Sequence, residues 1–241
     1  MKKRFKSAAR WLLAIMLIMA GFSVLMVIVY RFFDPPVTPL MIRRSISGEA
    51  IRAERRWVSF ESIPQSLIDA VVASEDGKFP HHIGFDFGEM RAAYQRNKDG
   101  KRIRGASTIT QQMCKNVFLW ERRSYTRKAF EMWFTVWVEL LWSKQRIMEV
   151  YLNVIEMGKG IYGIGAAVPY YYHHPVAHTS RREAAMIAAI LPSPRKRNPV
   201  NPDSYTLQRR QQILSLMDKT GKVSLPPSGI FQRTKREKSK P

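Results

Sequence analysis

The chain has 241 residues, 45% of them apolar, which is enough for one domain with a packed core plus an anchor and excludes global disorder. Forty Lys and Arg against 19 Asp and Glu give a net charge of +21, so an anionic partner is expected: nucleic acid, anionic lipid headgroups or a phosphorylated substrate. The single cysteine, Cys114, excludes an intrachain disulfide and a cysteine-cluster zinc site.

The first predicted element is a transmembrane helix at residues 11–30, WLLAIMLIMAGFSVLMVIVY, which carry no charge. A helix of this length spans about 30 Å, the hydrocarbon thickness of a bilayer. Segment 1–10 is basic, which keeps the amino terminus cytoplasmic and exports everything after Tyr30. A cleaved signal peptide is the alternative. It is disfavoured because the apolar run exceeds the usual stretch of about 7–15 residues and no small-residue cleavage site closes it.

Beyond the anchor, the pattern predicts a linker at residues 31–50, one mainly helical domain at residues 51–225 and a basic tail at residues 226–241. Three prolines in RFFDPPVTP predict a stiff, non-helical linker, and short strands are expected within residues 41–61. Apolar spacing and capping residues predict helices at 66–73, 87–95, 107–116, 125–155 with a break near Ser143, 181–191 and 207–219. Residues 97–105 are basic and glycine-bounded, and they are a candidate mobile loop over a site.

An acidic pair, Glu75 and Asp76, lies where a predicted helix gives way to a loop. Adjacent carboxylates can supply a general base and a second charge, or hold a divalent cation such as Mg or Mn. Acidic pairs are also common at solvated helix ends, and on this feature alone that interpretation is the better one.

A dense polar run follows at residues 107–116, STITQQMCKN. Four of its side chains share one helix face by their spacing: Thr108, Gln111, Gln112 and Lys115. Hydroxyl, amide and ammonium groups on one wall suit a sugar that bears phosphates. An exposed polar helix is the alternative, but Glu and Lys are more typical of such a surface than Thr and Gln.

Arg127, Lys128 and Glu131 place cations and a carboxylate one helical turn apart. Such a pair is ordinarily worth only about 0.3–0.5 kcal/mol on a helix surface, and alone it indicates no more than that. The preceding run 117–120, VFLW, suits either an interfacial surface or the core.

Two other kinds of enzyme site are not supported by the sequence. The five histidines include no H-E-x-x-H match, so a metal site built from them is not expected. The matches SPRK at 193–196 and KTG at 219–221 resemble penicilloyl serine transferases, but no S-x-N lies between them and no transpeptidase-sized domain fits.

The order of these segments resembles the peptidoglycan glycosyltransferases, the family that includes the glycosyltransferase domain of class A penicillin-binding proteins. The first family motif, E-D-x-x-F-x-x-H-x-G-x-D, is matched by Glu75, Asp76, Phe79, His82, Gly84 and Asp86. The second, G-x-S-T-I-T-Q-Q-x-x-K-N, is matched in full by Gly105 to Asn116. The third, R-K-x-x-E, is matched by Arg127, Lys128 and Glu131, and the fourth by Ile147, Glu149, Tyr151, Leu152 and Asn153. The resemblance covers roughly residues 63–202.

The resemblance implies a mainly α, lysozyme-like glycosyltransferase domain with a membrane-facing jaw lobe, preceded by one transmembrane helix. It implies that lipid II is the acceptor and the growing glycan strand the donor. Glu75 would be the catalytic base that deprotonates the acceptor 4-hydroxyl, with inversion at the anomeric carbon. Lys115 and Arg127 would neutralise the pyrophosphate, Glu131 would orient the acceptor or these cations, and Asp76 would support Glu75 or a divalent metal held by both carboxylates. The further expected substrate-binding residues are Ser107, Thr108, Gln111, Gln112, Asn116, Lys128 and Glu149.

The resemblance also implies a single-pass protein of the bacterial inner membrane with a periplasmic catalytic domain. Cell-division or cell-wall synthesis proteins are expected partners, and nucleic acid is not. Two alternatives remain open. A lysozyme-like lytic transglycosylase would need one catalytic acid and no pyrophosphate-binding cations, and a membrane-tethered basic adaptor would not need the full S-T-I-T-Q-Q-x-x-K-N run.

Overall fold

The computed structural model describes residues 2–98 and 107–226. The predicted basic loop beyond Lys98, the predicted tail beyond Pro226 and Gly105 of the second motif lie outside the described residues.

The described residues form a mainly α structure, as the sequence predicts. The α-helices are α1 (Lys2–Phe32), α2 (Pro39–Ile46), α3 (Gln65–Glu75), α4 (Phe87–Lys98), α5 (Ile109–Phe118), α6 (Tyr125–Leu141), α7 (Lys144–Val154), α8 (Ile164–Tyr172), α9 (Arg181–Ile190) and α10 (Ser204–Thr220). Short 3-10 turns lie at Phe60–Ser62 and Val176–His178. Strands β1 (Glu156–Gly158) and β2 (Ile161–Tyr162) form an antiparallel hairpin in which Glu156 pairs with Tyr162 and Gly158 with Ile161.

The amino-terminal helix α1 fits a single-pass membrane anchor. Its segment Arg10–Phe32 is long and apolar enough to cross a membrane, judged by length and composition. Most of its large apolar side chains are exposed, among them Trp11, Leu17 and Phe22, so the domain core does not account for their apolar character.

The proline segment 31–39 is helical only at its two ends, since residues 33–38 are not helical. The rest of the predicted linker 31–50 contains a helix that was not expected, and the expectation of strands within residues 41–61 is wrong. Helix α1 continues to Phe32, and α2 begins at Pro39. The Thr38 side chain accepts a hydrogen bond from the Met41 N–H at 3.3 Å, which caps α2. Proline is tolerated in a first turn, where its missing N–H would have no partner in the helix, so here it starts a helix instead of preventing one.

Helix α5 lies at the centre of the domain, packed between α6 and α7, while α3, α9 and α10 pack against one another. The α5 side chains Ile109 and Met113 and the α7 side chains Ile147 and Tyr151 are fully buried. Each such aliphatic side chain contributes about 1.5–3 kcal/mol by leaving water. The helix that carries the polar run is therefore held rigidly by its apolar side.

The helix ends follow local capping chemistry. Thr108, one residue later than the predicted cap Ser107, caps α5 in a reciprocal capping box with Gln111. The predicted break at Ser143 is confirmed, because its side chain caps α7. The hairpin and α8 have no counterpart in the predictions. Between them Gly163 has a φ of 76°, and a Cβ there would lie 2.4 Å from the Asn153 carbonyl oxygen, so this turn requires glycine.

Candidate active site

The two adjacent carboxylates at the end of α3 point to different partners. Asp76 is 8% exposed, and its two oxygens lie 2.9 and 3.0 Å from Nε2 of His82. The backbone N–H of Ile109, in the first turn of α5, also donates to Asp76 at 3.0 Å. A carboxylate at a helix N-terminus is stabilised by the unpaired N–H groups there. Asp76 therefore fastens α3 to the start of α5.

Glu75 instead faces the polar side of α5. Its Oε2 accepts a hydrogen bond from Nε2 of Gln112 at 3.0 Å, and Oε1 of Gln112 accepts one from the Tyr151 hydroxyl at 3.2 Å. The protein surrounds most of this carboxyl, although part of its surface stays accessible to solvent. Burial raises the pKa of Glu75, while the Gln112 hydrogen bond and the positive charge of Arg209 oppose that rise. A carboxylate of raised pKa is suited to accept a proton near neutral pH.

Lys115 lies one turn beyond Gln112 on α5. Burial lowers the pKa of its ammonium group, the negative charge of Glu131 raises it, and the positive charge of Arg127 lowers it further. Its charge is therefore placed where an incoming anion would be strongly favoured.

Glu131 on α6 is held by two cations. It is 2% exposed, and its oxygens accept from Nη1 of Arg127 at 2.8 Å and from Nζ of Lys128 at 2.5 Å. Lys128 also donates to the Ser107 hydroxyl at 3.4 Å. With both of its oxygens engaged, Glu131 is placed to orient the two cations.

A cavity of about 220 Å3 lies along the same side of α5. Gln112, Lys115 and Asn116 supply its polar side, and Glu121 and Glu156 add two acids. Its apolar walls are Leu40, Leu119, Trp120, Ile155, Leu191, Pro192 and Pro194. Because Gln112 touches both Glu75 and the cavity, the candidate base lies next to a space of mixed polar and apolar character.

Ion pairs hold α2 and the segment after it over this cavity. Arg44 donates a hydrogen bond to Glu121 at 2.9 Å. Arg195 donates to both carboxylate oxygens of Glu49 at 2.8 and 2.9 Å, and to one oxygen of Glu156 at 2.8 Å. Arg195 lowers the pKa of Glu49 through this bidentate contact. None of these residues was predicted as part of the site, because their partners are far apart in the sequence.

Three predicted substrate-binding residues have other contacts. Thr108 and Gln111 are buried in the capping box of α5, and the Thr108 hydroxyl also donates to the Gly84 carbonyl at 2.7 Å. Glu149 accepts from Nε1 of Trp57 at 3.0 Å and pairs with Arg146 at 3.0 Å, away from the lining of the cavity. The structure thus brings Gln112, Lys115 and Asn116 to the cavity but not these three.

A buried acid that the sequence did not single out supports α5. Glu139 is 2% exposed and accepts from the Thr110 hydroxyl at 2.5 Å and from Nζ of Lys144 at 2.8 Å. A Cβ at Gly84, whose φ is 73°, would lie 2.9 Å from Cγ of Glu139. The pair Glu139 and Lys144 spans the break between α6 and α7, so no helical spacing indicates it.

Glu75 and Asp76 do not belong to a larger group of metal-ligating side chains among the described residues. Across residues 2–98 and 107–226, no group of three or more His, Cys, Asp and Glu side chains is placed to hold a metal ion. Asp76 already accepts from His82 and Ile109, and Glu75 from Gln112. Mg²⁺ keeps an octahedral shell of about six oxygens, and the protein here offers two carboxylates that face different ways.

Comparison with known proteins gives one consistent result. A family model described as Transglycosylase matches residues 44–218. The chain is 48% identical over 225 residues to the "Biosynthetic peptidoglycan transglycosylase" of Bacteroides thetaiotaomicron, covering 90% of each chain. Proteins of the same name from Caulobacter vibrioides and Pseudomonas fluorescens are 47% and 43% identical, covering 84% and 91% of this chain and 87% and 90% of theirs.

Proposed function

This chain belongs to the transglycosylase family, with its mainly α, lysozyme-like fold, and is a peptidoglycan glycosyltransferase; from that premise we propose how its own residues perform the reaction. Lipid II is the acceptor, and the growing glycan strand on its polyprenyl pyrophosphate is the donor. The observation that carries the assignment is the contact between Glu75 and Gln112, one helical turn before Lys115 on the same helix. A base and a cation are thereby held in fixed relation beside one cavity.

Glu75 is the catalytic base. Its carboxylate takes the proton of the acceptor 4-hydroxyl as that oxygen attacks the anomeric carbon of the donor. The bond from that carbon to the pyrophosphate oxygen breaks, and the configuration inverts. The raised pKa of Glu75 supports this role, because a stronger base takes a hydroxyl proton more readily. Gln112 aims the carboxylate from one side, and Tyr151 fixes Gln112.

Lys115 and Arg127 receive the leaving pyrophosphate. Its negative charge grows in the transition state, and fixed cations stabilise such charge most in a site that excludes water. Nε of Arg127 is buried and has no hydrogen-bond partner among the residues that the structure describes. An unpaired buried donor is costly unless a ligand accepts from it. A phosphate oxygen is the acceptor that this donor suits.

Glu131 and Asp76 act through other groups. Glu131 orients Arg127 and Lys128, and Asp76 holds α3 against α5 so that Glu75 faces Gln112. A divalent cation at Glu75 and Asp76 stays a prediction, and no step here depends on one. The expected contacts with division or cell-wall synthesis proteins also stay predictions.

The membrane placement is part of the proposal. We infer that α1 crosses the inner membrane with segment 1–10 in the cytoplasm, which leaves the catalytic domain in the periplasm. Exposed aromatic and apolar side chains support a membrane-facing lobe: Trp120, Tyr125, Phe130, Met132, Trp133 and Val136. Residues 117–120 could belong to the core or to a membrane-facing surface, and both occur: Val117 and Leu119 are buried in the core, whereas Trp120 is exposed.

Incubation of the purified protein with lipid II tests this function against the alternatives. A glycosyltransferase yields long glycan strands and free polyprenyl pyrophosphate. A lytic enzyme instead shortens preformed glycan and leaves lipid II intact, and an adaptor changes neither. The cation cluster around Lys115 favours the first outcome, because cleavage of glycan releases no pyrophosphate.

A further inference from the structure

Arg146, in the first turn of α7, donates hydrogen bonds to backbone carbonyls at the carboxyl end of the anchor helix α1. Its Nη2 donates to the carbonyl oxygens of Tyr30 at 3.1 Å and Phe33 at 2.9 Å, and its Nη1 lies 2.9 Å from Oδ1 of Asp34. The last carbonyls of a helix have no partners within the helix, and a cation there is favoured by the helix dipole. Arg146 therefore caps α1 from a distant part of the chain.

Two tryptophans extend this contact along the anchor. Nε1 of Trp142 donates to the Val27 carbonyl at 2.9 Å, and Nε1 of Trp133 donates to the Ser23 hydroxyl at 2.9 Å. The contacts occur in the same order on both sides, from Ser23 to Tyr30 on α1 and from Trp133 to Arg146 on α6 and α7. At about 1.5 Å per residue, α1 is attached to the domain over roughly its last 15 Å.

The domain also fixes Arg146 from its other side. Glu149, one turn later on α7, pairs with its Nη1 at 3.0 Å, and Nε1 of Trp57 donates to Glu149 at 3.0 Å. The guanidinium lies over the rings of Trp57 and Trp142, 5.5 and 5.9 Å from their centroids. A planar guanidinium with donors in a fixed fork suits such a crowded contact better than a lysine. This cluster also explains why Glu149 is remote from the cavity.

The helix that carries Arg146 also reaches the candidate base. Tyr151 lies five residues further along α7, and its hydroxyl donates to Gln112, which donates to Glu75. Anchor and base are thus joined through one buried helix instead of through a flexible linker. Movement of α1 relative to Glu75 would require breaking several of these contacts together.

We propose that Arg146 is a positioning residue that locks the anchor to the catalytic domain and so sets the position of Glu75 and Lys115 relative to the bilayer surface. The inference rests on the proposed function, in which the substrate is held in the same membrane by its polyprenyl chain. A pyrophosphate tethered in this way lies at the headgroup level and cannot move far from it. A locked joint keeps the site at that level, whereas a loose joint spreads it over heights and tilts that do not react.

The test compares two substrates with the full-length protein. One is lipid II with its long polyprenyl chain, reconstituted with the protein in phospholipid vesicles. The other is a short-chain, water-soluble lipid II analogue supplied to the protein in detergent micelles. Arg146→Gln should lower kcat/KM about tenfold or more on the vesicle substrate and less than about twofold on the soluble analogue. Arg146→Lys should recover part of the loss in vesicles.

Two further variants separate positioning from folding. Asp34→Asn loosens the joint from the anchor side at a half-exposed residue and should lower the vesicle rate by about two- to threefold. Arg56→Gln is the matched control, because Arg56 is exposed and pairs only with its neighbour Glu54 among the contacts described. It should match the parent with both substrates.

The outcomes are distinguishable. Equal losses of Arg146→Gln on both substrates would mean that Arg146 serves folding, and parent rates on both would mean that the joint does not matter; either result overturns the proposal. If the parent protein polymerises neither substrate, the proposed function itself fails.

Discussion

Gln112 donates a hydrogen bond from Nε2 to Oε2 of Glu75 at 3.0 Å, although 37 positions separate the two residues in the chain. Because Gln112 shares a helix face with Lys115, the bond places a carboxylate of raised pKa beside a cation of lowered pKa. Neighbouring groups with pKa values shifted in this way are typical of active sites. The relationship supports opposite roles for the two side chains in one reaction.

Glu75→Gln should abolish polymerisation and leave lipid II binding largely intact. The amide keeps the shape of the side chain but cannot accept the hydroxyl proton, so the chemical step alone suffers. Glu131→Gln should be damaging but leave measurable activity, because Glu131 acts by orienting Arg127 and Lys128. A gel of glycan products and a binding assay check both, with the exposed Glu61→Gln as the control. If the Glu75 variant makes long chains and the Glu131 variant makes none, Glu131 is the base and Glu75 the orienting residue.

The acid limb of the pH–rate profile should lie above the ordinary range of glutamate, because burial raises the pKa of Glu75 and the base acts only when deprotonated. The Gln112 hydrogen bond favours the charged form and lowers this pKa. Gln112→Leu should therefore move the acid limb to higher pH, whatever it does to the maximum rate. The measurement is kcat/KM across the acid range for parent and variant. A limb that stays in place, or moves to lower pH, contradicts the assignment of Glu75 as the base.

Lys115→Ala and Arg127→Ala should each reduce turnover by about 10²–10³-fold while the protein stays folded, because each removes a fixed cation from the departing pyrophosphate. The double variant should lose less than the product of the two losses, since both cations act on one group. Steady-state rates on lipid II and a thermal unfolding curve check this. If both single variants polymerise lipid II at the parent rate, Lys115 and Arg127 do not stabilise the leaving pyrophosphate.

The alkaline limb should report Lys115. Burial lowers the pKa of its ammonium group, so activity should fall at a lower pH than for an ordinary lysine. Lys115→Arg keeps its positive charge over the whole pH range, so the alkaline limb of its profile should lie at higher pH than that of the parent. Comparison of the descending limbs decides the matter. If the limb of the arginine variant coincides with that of the parent, another group controls it.

Glu139→Gln should destabilise the domain by about 3–5 kcal/mol, because it leaves the ammonium of Lys144 buried beside a neutral partner. The double variant Glu139→Gln with Lys144→Met removes both charges and should regain much of that loss. Denaturant or thermal unfolding of the two variants measures the difference. A double variant less stable than the single one would show that the two residues do not act as a pair.

Much of the local structure could be predicted from neighbouring residues. Ser143 and Ser180 cap helices where polar residues precede apolar periodicity, and the motif order at Glu75, Lys115 and Arg127 indicated the family. The prolines of segment 31–39 indicate its non-helical part at residues 33–38, but the pattern does not show that Thr38 makes Pro39 the start of α2. The cap of α5 was displaced by one residue because Ser107 and Thr108 are chemically alike and only Thr108 pairs with Gln111.

The sequence by itself determined which residues carry charge, where most helices begin and end, and that an apolar segment precedes a basic domain. The tertiary structure decided what each carboxylate meets: Gln112 for Glu75, the start of α5 for Asp76, Lys144 for Glu139, and the anchor cluster for Glu149. Caps and periodicity involve residues within a turn or two, so they are visible in the chain. The role of a carboxylate depends on its desolvation and on its hydrogen-bond partners, and for Glu75, Asp76 and Glu149 the fold brings one such partner from 33 to 92 residues away.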